Sequence, residues 1–188
     1  MTRRVIDVRQ PDRFVVGTVG MPGERAFYLQ VRQGSAITSV LLEKTQVATL
    51  ADRLDHLLDE VRSTREAMAD MPERDGIARV DNDPLDIPIE EEFRVGAMAL
   101  GWDDSNNLVV IEAHAVNEQD FDVPEIADDE SDGPDTLRIW IPATLARAFC
   151  QRARAVVAAG RPDCPFCSQP IDPTGHICPR ANGYRRRA

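Results

Sequence analysis

Three observations predict an α+β fold made of two βββα halves related by internal duplication. Short runs rich in β-branched and aromatic residues are separated by Gly- and Pro-bearing turns, a stripe of apolar residues at three- and four-residue spacing follows every third run, and this order occurs twice. A chain of 188 residues, 43% of them hydrophobic, suits one well-packed core with a small appendage.

The first runs are RFVVGTVG (13–20), AFYLQVRQ (26–33) and AITSVLL (36–42), with Pro-Gly and Gly-Ser turn signals between them. They read as a three-stranded meander. From Thr45 the period changes: Val47, Leu50, Leu54, Leu57, Leu58 and Val61 fall on one stripe of a helix that should run to about Met71, ahead of Pro72. The second half opens with EFRVGAMALGW (92–102), LVVIEAHAV (108–116) and TLRIWI (136–141). A second helix should extend from Pro142 to about Ala159, stopped by Gly160 and Pro162. FVVG (14–17) answers FRVG (93–96), and an offset of 99 sets Leu42, Leu50, Leu57 and Leu58 on Ile141, Phe149, Val156 and Val157. These matches motivate the duplication. Residues 64–92, rich in Pro, Gly and charge, become the connector between the halves.

The net charge of -10 argues against a general nucleic-acid-binding surface, which would be basic. Acidic residues gather in 117–135, a stretch without Lys or Arg. Lys44 is the sole lysine among 22 basic residues, an arginine bias typical of GC-rich coding. No apolar run approaches the length needed to cross a bilayer, so the sequence leads us to expect a soluble, cytoplasmic protein with no membrane partner.

Beyond the second helix lies CPFCSQPIDPTGHICPRANGYRRR. Cys164 and Cys167 form a C-x2-C knuckle whose tight turn aims two sulfurs at one point, and His176 and Cys178 lie on the same side of an extended segment. Eight residues separate the pairs, including Pro170, Pro173 and Gly175, which fold the insert back without a hydrophobic core. Three thiolates and one imidazole suit tetrahedral Zn²⁺ and leave no open position, so a structural zinc site is expected. The rival reading of CPFC as a redox motif is weaker, because the motif follows a helix and has two further soft ligands nearby. The fold class is thus α+β, with an antiparallel sheet and two main helices in residues 1–160 and a small C-terminal zinc knuckle in 161–188.

The FRVG strand, the helix LLEKTQVATLADRLDHLLDEV and above all CPFCSQPIDPTGHICPRANGYRR resemble an uncharacterised actinobacterial family, domain of unknown function 3090. The resemblance spans nearly the whole chain. It implies a cytoplasmic protein and supplies no activity and no catalytic residues.

Enzyme chemistry has few candidates. Glu112 and His114 share one face of a strand, where they read as the solvated side of a half-buried sheet, and Glu90, Glu91 and Glu92 form an acidic cluster. No nucleophile elbow, phosphate loop or dinucleotide fingerprint occurs. Lys44 opens the first helix, where a cation opposes the dipole, which marks it as a candidate contact for an anion or partner. His56 reads as surface, and Cys150 as a small buried hydrophobe. In the tail, Arg180, Tyr184, Arg185, Arg186 and Arg187 are candidates for a nucleic-acid or protein contact, with protein favoured. The leading reading is a binding or adaptor module with a structural zinc site. The alternative is a small-molecule enzyme or sensor with a pocket between the halves, marked by Glu112, His114 or Lys44.

Overall fold

A computed structural model of the chain describes residues 3–21, 23–65, 71–74, 80–117, 125–127, 132–160, 164–169, 171 and 175–180. Its elements are β1 (Val5–Arg9), β2 (Arg13–Val19), β3 (Ala26–Gln33), β4 (Ala36–Leu42), α1 (Lys44–Thr64), β5 (Glu91–Asp103), β6 (Leu108–Ala115), β7 (Thr136–Ile141) and α2 (Ala143–Ala158). Within each half the three strands pair antiparallel, as their tight turns require. The seven strands form one sheet in the order β1-β7-β6-β5-β4-β3-β2.

Two seams correct the expectation of a wholly antiparallel sheet. β4 pairs parallel with β5, and β1 pairs parallel with β7. At the first seam the physical reason is the crossover through α1, which returns the chain to the end it left and so makes β5 parallel to β4. β1 itself escaped the sequence reading, since VIDVR is short and half charged and its partner lies far along the chain. Gln10 N–H donates to Trp140 O and Asp12 N–H to Arg32 O, each at 2.9 Å. The ladder therefore passes from β7 to β3 across Pro11, which has no N–H to donate. β1 and β2 are two pieces of one interrupted strand path, and the sheet curls until its first and last strands are consecutive in the chain.

The register repeats. Ser39 pairs with Glu91, and the positions 99 and 84 residues away, Arg138 and Asp7, pair in the same way. Val15 pairs with Gln30 as Ala99 pairs with Glu112. The helices keep the offset of 99 seen in the sequence: Val47, Leu50, Ala51 and Leu54 are buried, and so are Ala146, Phe149, Cys150 and Ala153. Cys150 Sγ donates to Ala51 O at 3.3 Å, so the helices touch at two positions 99 apart. FVVG and FRVG, by contrast, are 79 residues apart and do not share this register.

Gln46 Oε1 accepts the Glu43 N–H at 2.8 Å and fixes the start of α1. The helix ends at Thr64, short of the expected Met71, where Ser63 and Thr64 hydroxyls donate to Glu60 O and Arg65 is extended. Its apolar stripe joins that of α2 and the inner face of the sheet in one core, from Phe14, Leu29 and Val40 through Leu54 and Leu58 to Ile111, Ile139 and Phe149. Each such side chain contributes about 1.5–3 kcal/mol by leaving water. Among the described residues no helix is long and apolar enough to cross a membrane.

Candidate metal centre

Behind α2, residues 165–167 make the turn that the C-x2-C spacing demands. Ser168 N–H donates to Cys164 O and Cys164 N–H to Gln169 O, both at 2.8 Å, and Ser168 adopts a positive φ of 59° to close the loop. From the other side Gly175 turns at φ 87°, a conformation that suits glycine, and delivers His176 and Cys178. The ligand atoms of Cys164, Cys167, His176 and Cys178 all lie within 4.8 Å of one another. Cys164 and Cys178 are buried, and Cys167 and His176 are half-buried.

The separations test whether a metal fits. Cys164 Sγ is 3.7 Å from Cys178 Sγ, and Cys167 Sγ is 3.3 Å from His176 Nε2. A sulfur pair bonded as a disulfide would stand about 2.05 Å apart. Two sulfurs on one tetrahedral ion, each at about 2.3 Å, stand about 3.8 Å apart, and a sulfur and a nitrogen about 3.5 Å. The donor set therefore fits a small tetrahedral cation. Burial opposes ionisation of Cys164, but the N–H groups of Phe166 and Cys167 favour its thiolate and hold it below the ordinary thiol range. The Gln169 N–H favours the Cys167 thiolate as well, yet burial and the neighbouring sulfurs leave that thiol raised. Arg180 turns inward along the chain, its Nη1 donating to Phe166 O at 3.2 Å. Tyr184, Arg185, Arg186 and Arg187 lie outside the described residues.

The other candidates scatter. Glu112 and His114 do share a face, but the expectation that it is solvated is overturned: their side chains are 0% and 1% exposed. Residues 125–127 of the acidic stretch lie on that face, with Ala127 N–H donating to Glu112 Oε1 at 3.0 Å and Ile126 packed on Gly101, where a Cβ would come within 3.0 Å of it. Arg138, one strand over, pairs with Glu112 and neutralises it. Thr136 Oγ1 donates to Pro134 O, so it accepts from His114 Nδ1 at 2.9 Å, which sets the tautomer. His114 Nε2 then faces Glu112 Oε2 at 3.6 Å. Burial holds the imidazole below its ordinary pKa, against the pull of Glu112 and helped by Arg3 and Arg138. Sequence reasoning missed Arg138 and Thr136, although strand alternation in TLRIWI puts both on the same side of the sheet.

Lys44 lines a cavity of about 440 Å³ with Arg25, Glu43 and Arg94, away from Glu112 and His114. Its Nζ would lie 3.2 Å from a Cβ on Gly160, and Arg25 Nη1 donates to Ala159 O at 2.7 Å. Both cations thus lie at the carbonyl end of α2, where positive charge is favourable. Glu90, Glu91 and Glu92 are exposed, with Glu92 paired to Arg4, and His56 is at the surface. Cys150 is buried, and desolvation raises its thiol pKa, as fits an inert core residue. Also missed was Arg147, buried on α2 against Asp55 and Asp59 of α1.

The model of a family described as Protein of unknown function (DUF3090) matches residues 6–178, and the chain belongs to that family. No curated protein and no solved structure matches the chain.

Proposed function

We propose that this DUF3090 protein is a binding module whose C-terminal knuckle is held by one structural Zn²⁺ and presents a rigid surface to a protein partner. The observation that carries the reading is the convergence of four soft donors within 4.8 Å in a segment whose Phe166 and Ile177 are 60% and 83% exposed. A cluster with every tetrahedral position taken by protein stiffens a loop and leaves no vertex for substrate. Large apolar side chains held out beside it are what a partner surface uses. Three reduced thiols at one metal suit a reducing compartment, which supports a cytoplasmic location. The net charge of -10 favours protein over nucleic acid.

The test uses the full chain purified without chelators. Metal analysis should give about one zinc per chain, and the double variant Phe166→Ala, Ile177→Ala should keep that zinc while losing the partner recovered by the wild type from its host. Absence of zinc with all thiols freely titratable refutes the metal. Retention of the partner by the double variant refutes the surface.

A second reading, a small-molecule site, is supported by the cavity that Lys44, Arg25 and Arg94 line between the start of α1 and the end of α2. Small anionic metabolites that raise the melting temperature of the wild type but not of Lys44→Ala would favour it.

A further inference from the structure

The repeated register makes the two halves internal controls for each other, and one of their differences is a groove. Between α1 and β5 runs a groove of about 480 Å³ lined by Thr49, Leu50, Arg53, Met98 and Leu100. Moving 99 residues along the helices and 84 along the strands, the offsets of the shared register, turns these into Ala148, Phe149, Arg152, Phe14 and Val16. Those residues sit where α2 meets β2, and there only about 140 Å³ remains open. The same groove is therefore built twice, and among the described residues one copy is covered.

What covers it is an acidic segment around Asp81–Asp83 that bends at Asp83. Arg152 donates through Nε to Val16 O, through Nη1 to the carbonyl and carboxylate of Asp81, and through Nη2 to Asp83 O at 2.8 Å. Asp83 N–H donates to Asp81 Oδ1 at 2.9 Å, which closes a short Asx turn, so the guanidinium fork reads the two carbonyls of that turn and adds an aspartate as a charged partner. Beneath this strap Phe14 and Val16 are 1% and 0% exposed, and Arg152 is 6% exposed. In the other copy Met98 and Leu100 are only half-buried, and Arg53 is exposed. Arg53 has no hydrogen bond or ion pair among the described residues.

We propose that the α1–β5 groove is a docking site for a turned Asp-x-Asp segment of a partner protein, gripped by Arg53 as Arg152 grips residues 81–83. The apolar floor of Met98 and Leu100 gives the segment contact area, and Arg53 supplies the fork for its carbonyls and carboxylate. With a net charge of -10 on the chain, general attraction does not bring an acidic peptide here, so recognition is local and short-ranged. The site is independent of the metal knuckle, and its failure leaves the zinc reading untouched.

The probe is a fluorescent synthetic peptide with the sequence Val-Asp-Asn-Asp-Pro-Leu-Asp, the chain's own residues 80–86, titrated into the full-length protein. Saturable binding is expected, weakened at least tenfold by Arg53→Ala and by peptides with Asn at both central aspartates, with amide shifts confined to Thr49, Arg53, Met98 and Leu100. Arg53 is exposed, so unfolding is not a concern, and Arg53→Lys, which keeps the charge without the fork, should bind no better than a few per cent of wild type. Three results overturn the proposal. One is no binding at millimolar peptide. Another is binding unchanged by Arg53→Ala, which assigns the peptide to the α2–β2 groove. The third is binding that emerges only when residues 118–124 are replaced by a Gly-Ser linker, which assigns the groove to the chain's own acidic stretch.

Discussion

Replacing Cys178 by Ser should cost the protein most of its metal affinity, and the geometry says by how much. The edge of a tetrahedron is about 1.6 times its centre-to-vertex distance, so the 3.7 Å between Cys164 and Cys178 sulfurs places an ion at about 2.3 Å from each, the length of a Zn–S bond. X-ray absorption on the zinc-loaded wild type should therefore fit three sulfurs at about 2.3 Å and one nitrogen at about 2.0–2.1 Å. Structural zinc sites bind with about 10–16 kcal/mol, so one of four ligands is worth about 3 kcal/mol, or roughly two decades in affinity. Cys178→Ser should bind zinc on the order of a hundredfold more weakly in competition with a chromophoric chelator, with one sulfur missing from the shell. Cys150→Ser is the control, since Cys150 is buried and donates to Ala51 O in the helix interface. Because the ligands must be deprotonated, wild-type affinity should also fall as pH is lowered. A shell of four sulfurs, a shell of oxygen and nitrogen alone, or a Cys178→Ser affinity within threefold of wild type would refute the argument.

Chelation should strip the knuckle while residues 3–160 keep their far-ultraviolet circular dichroism and urea midpoint, because one core holds both helices and the sheet; a coincident loss of both would show the two segments to be one folding unit. Asp55→Ala should lower stability by about 3–5 kcal/mol, since it removes the buried carboxylate and leaves the fully buried Arg147 guanidinium only the partly exposed Asp59, whereas Asp59→Ala, at a carboxylate that is 42% exposed, should cost about 1 kcal/mol or less. Urea unfolding of both variants decides it, and equal costs would contradict the burial argument. His114 has its pKa lowered by burial in the folded chain, so the unfolded state takes up more protons as pH falls below about 6.5 and stability should decline there, by at most about 1.4 kcal/mol per pH unit. His114→Gln should flatten that decline between pH 7.5 and 5.5 in urea titrations, and an unchanged slope would mean another group carries it.

Much of the frame is legible in the chain because the signals are local. Phe14, Val16, Leu29, Val31 and Val40 alternate inward on strands bounded by glycine turns, and Leu50, Leu54 and Leu58 mark one helix face; all are buried as their spacing requires. The Cys/His spacing likewise announces its own geometry, since the turn between Cys164 and Cys167 needs nothing from the rest of the protein. What stayed hidden depends on contacts far along the chain. β1 exists because β7 offers it a parallel edge. Alternation puts Glu112 and His114 on one face, but it does not tell what lies over that face. The cover comes from residues 125–127, in a stretch that composition marks as solvated, and the compensating charge comes from Arg138 on another strand. The sequence sets Lys44 against the helix it begins, while the helix end beside which it lies belongs to α2.

Equivalent positions in the two halves share one geometry and differ in their chemistry. In the first half Gln30 receives the Asp86 N–H at 2.7 Å and donates to Asp86 O and Ser39 Oγ at 3.0 and 3.1 Å. In the second half Glu112 stands for Gln30, Arg138 for Ser39, and Ala127 N–H for Asp86 N–H. Leu85 packs on Gly17, where a Cβ would come within 2.6 Å of it, as Ile126 packs on Gly101. A neutral amide satisfies itself as donor and acceptor, whereas a buried carboxylate accepts only and needs a cation, which Arg138 supplies. Agreement in register, glycine contact and backbone donor, with different side-chain chemistry laid over it, supports the reading of an internal duplication more strongly than the FVVG and FRVG likeness did. It also separates what the frame needs from what differs between the halves. The first half spent its acidic connector on covering its own sheet and groove, through Arg13 and Arg152. The second half has Glu112, His114 and Arg138 buried in its sheet, and Arg53 is exposed beside the α1–β5 groove, the place proposed above for a partner.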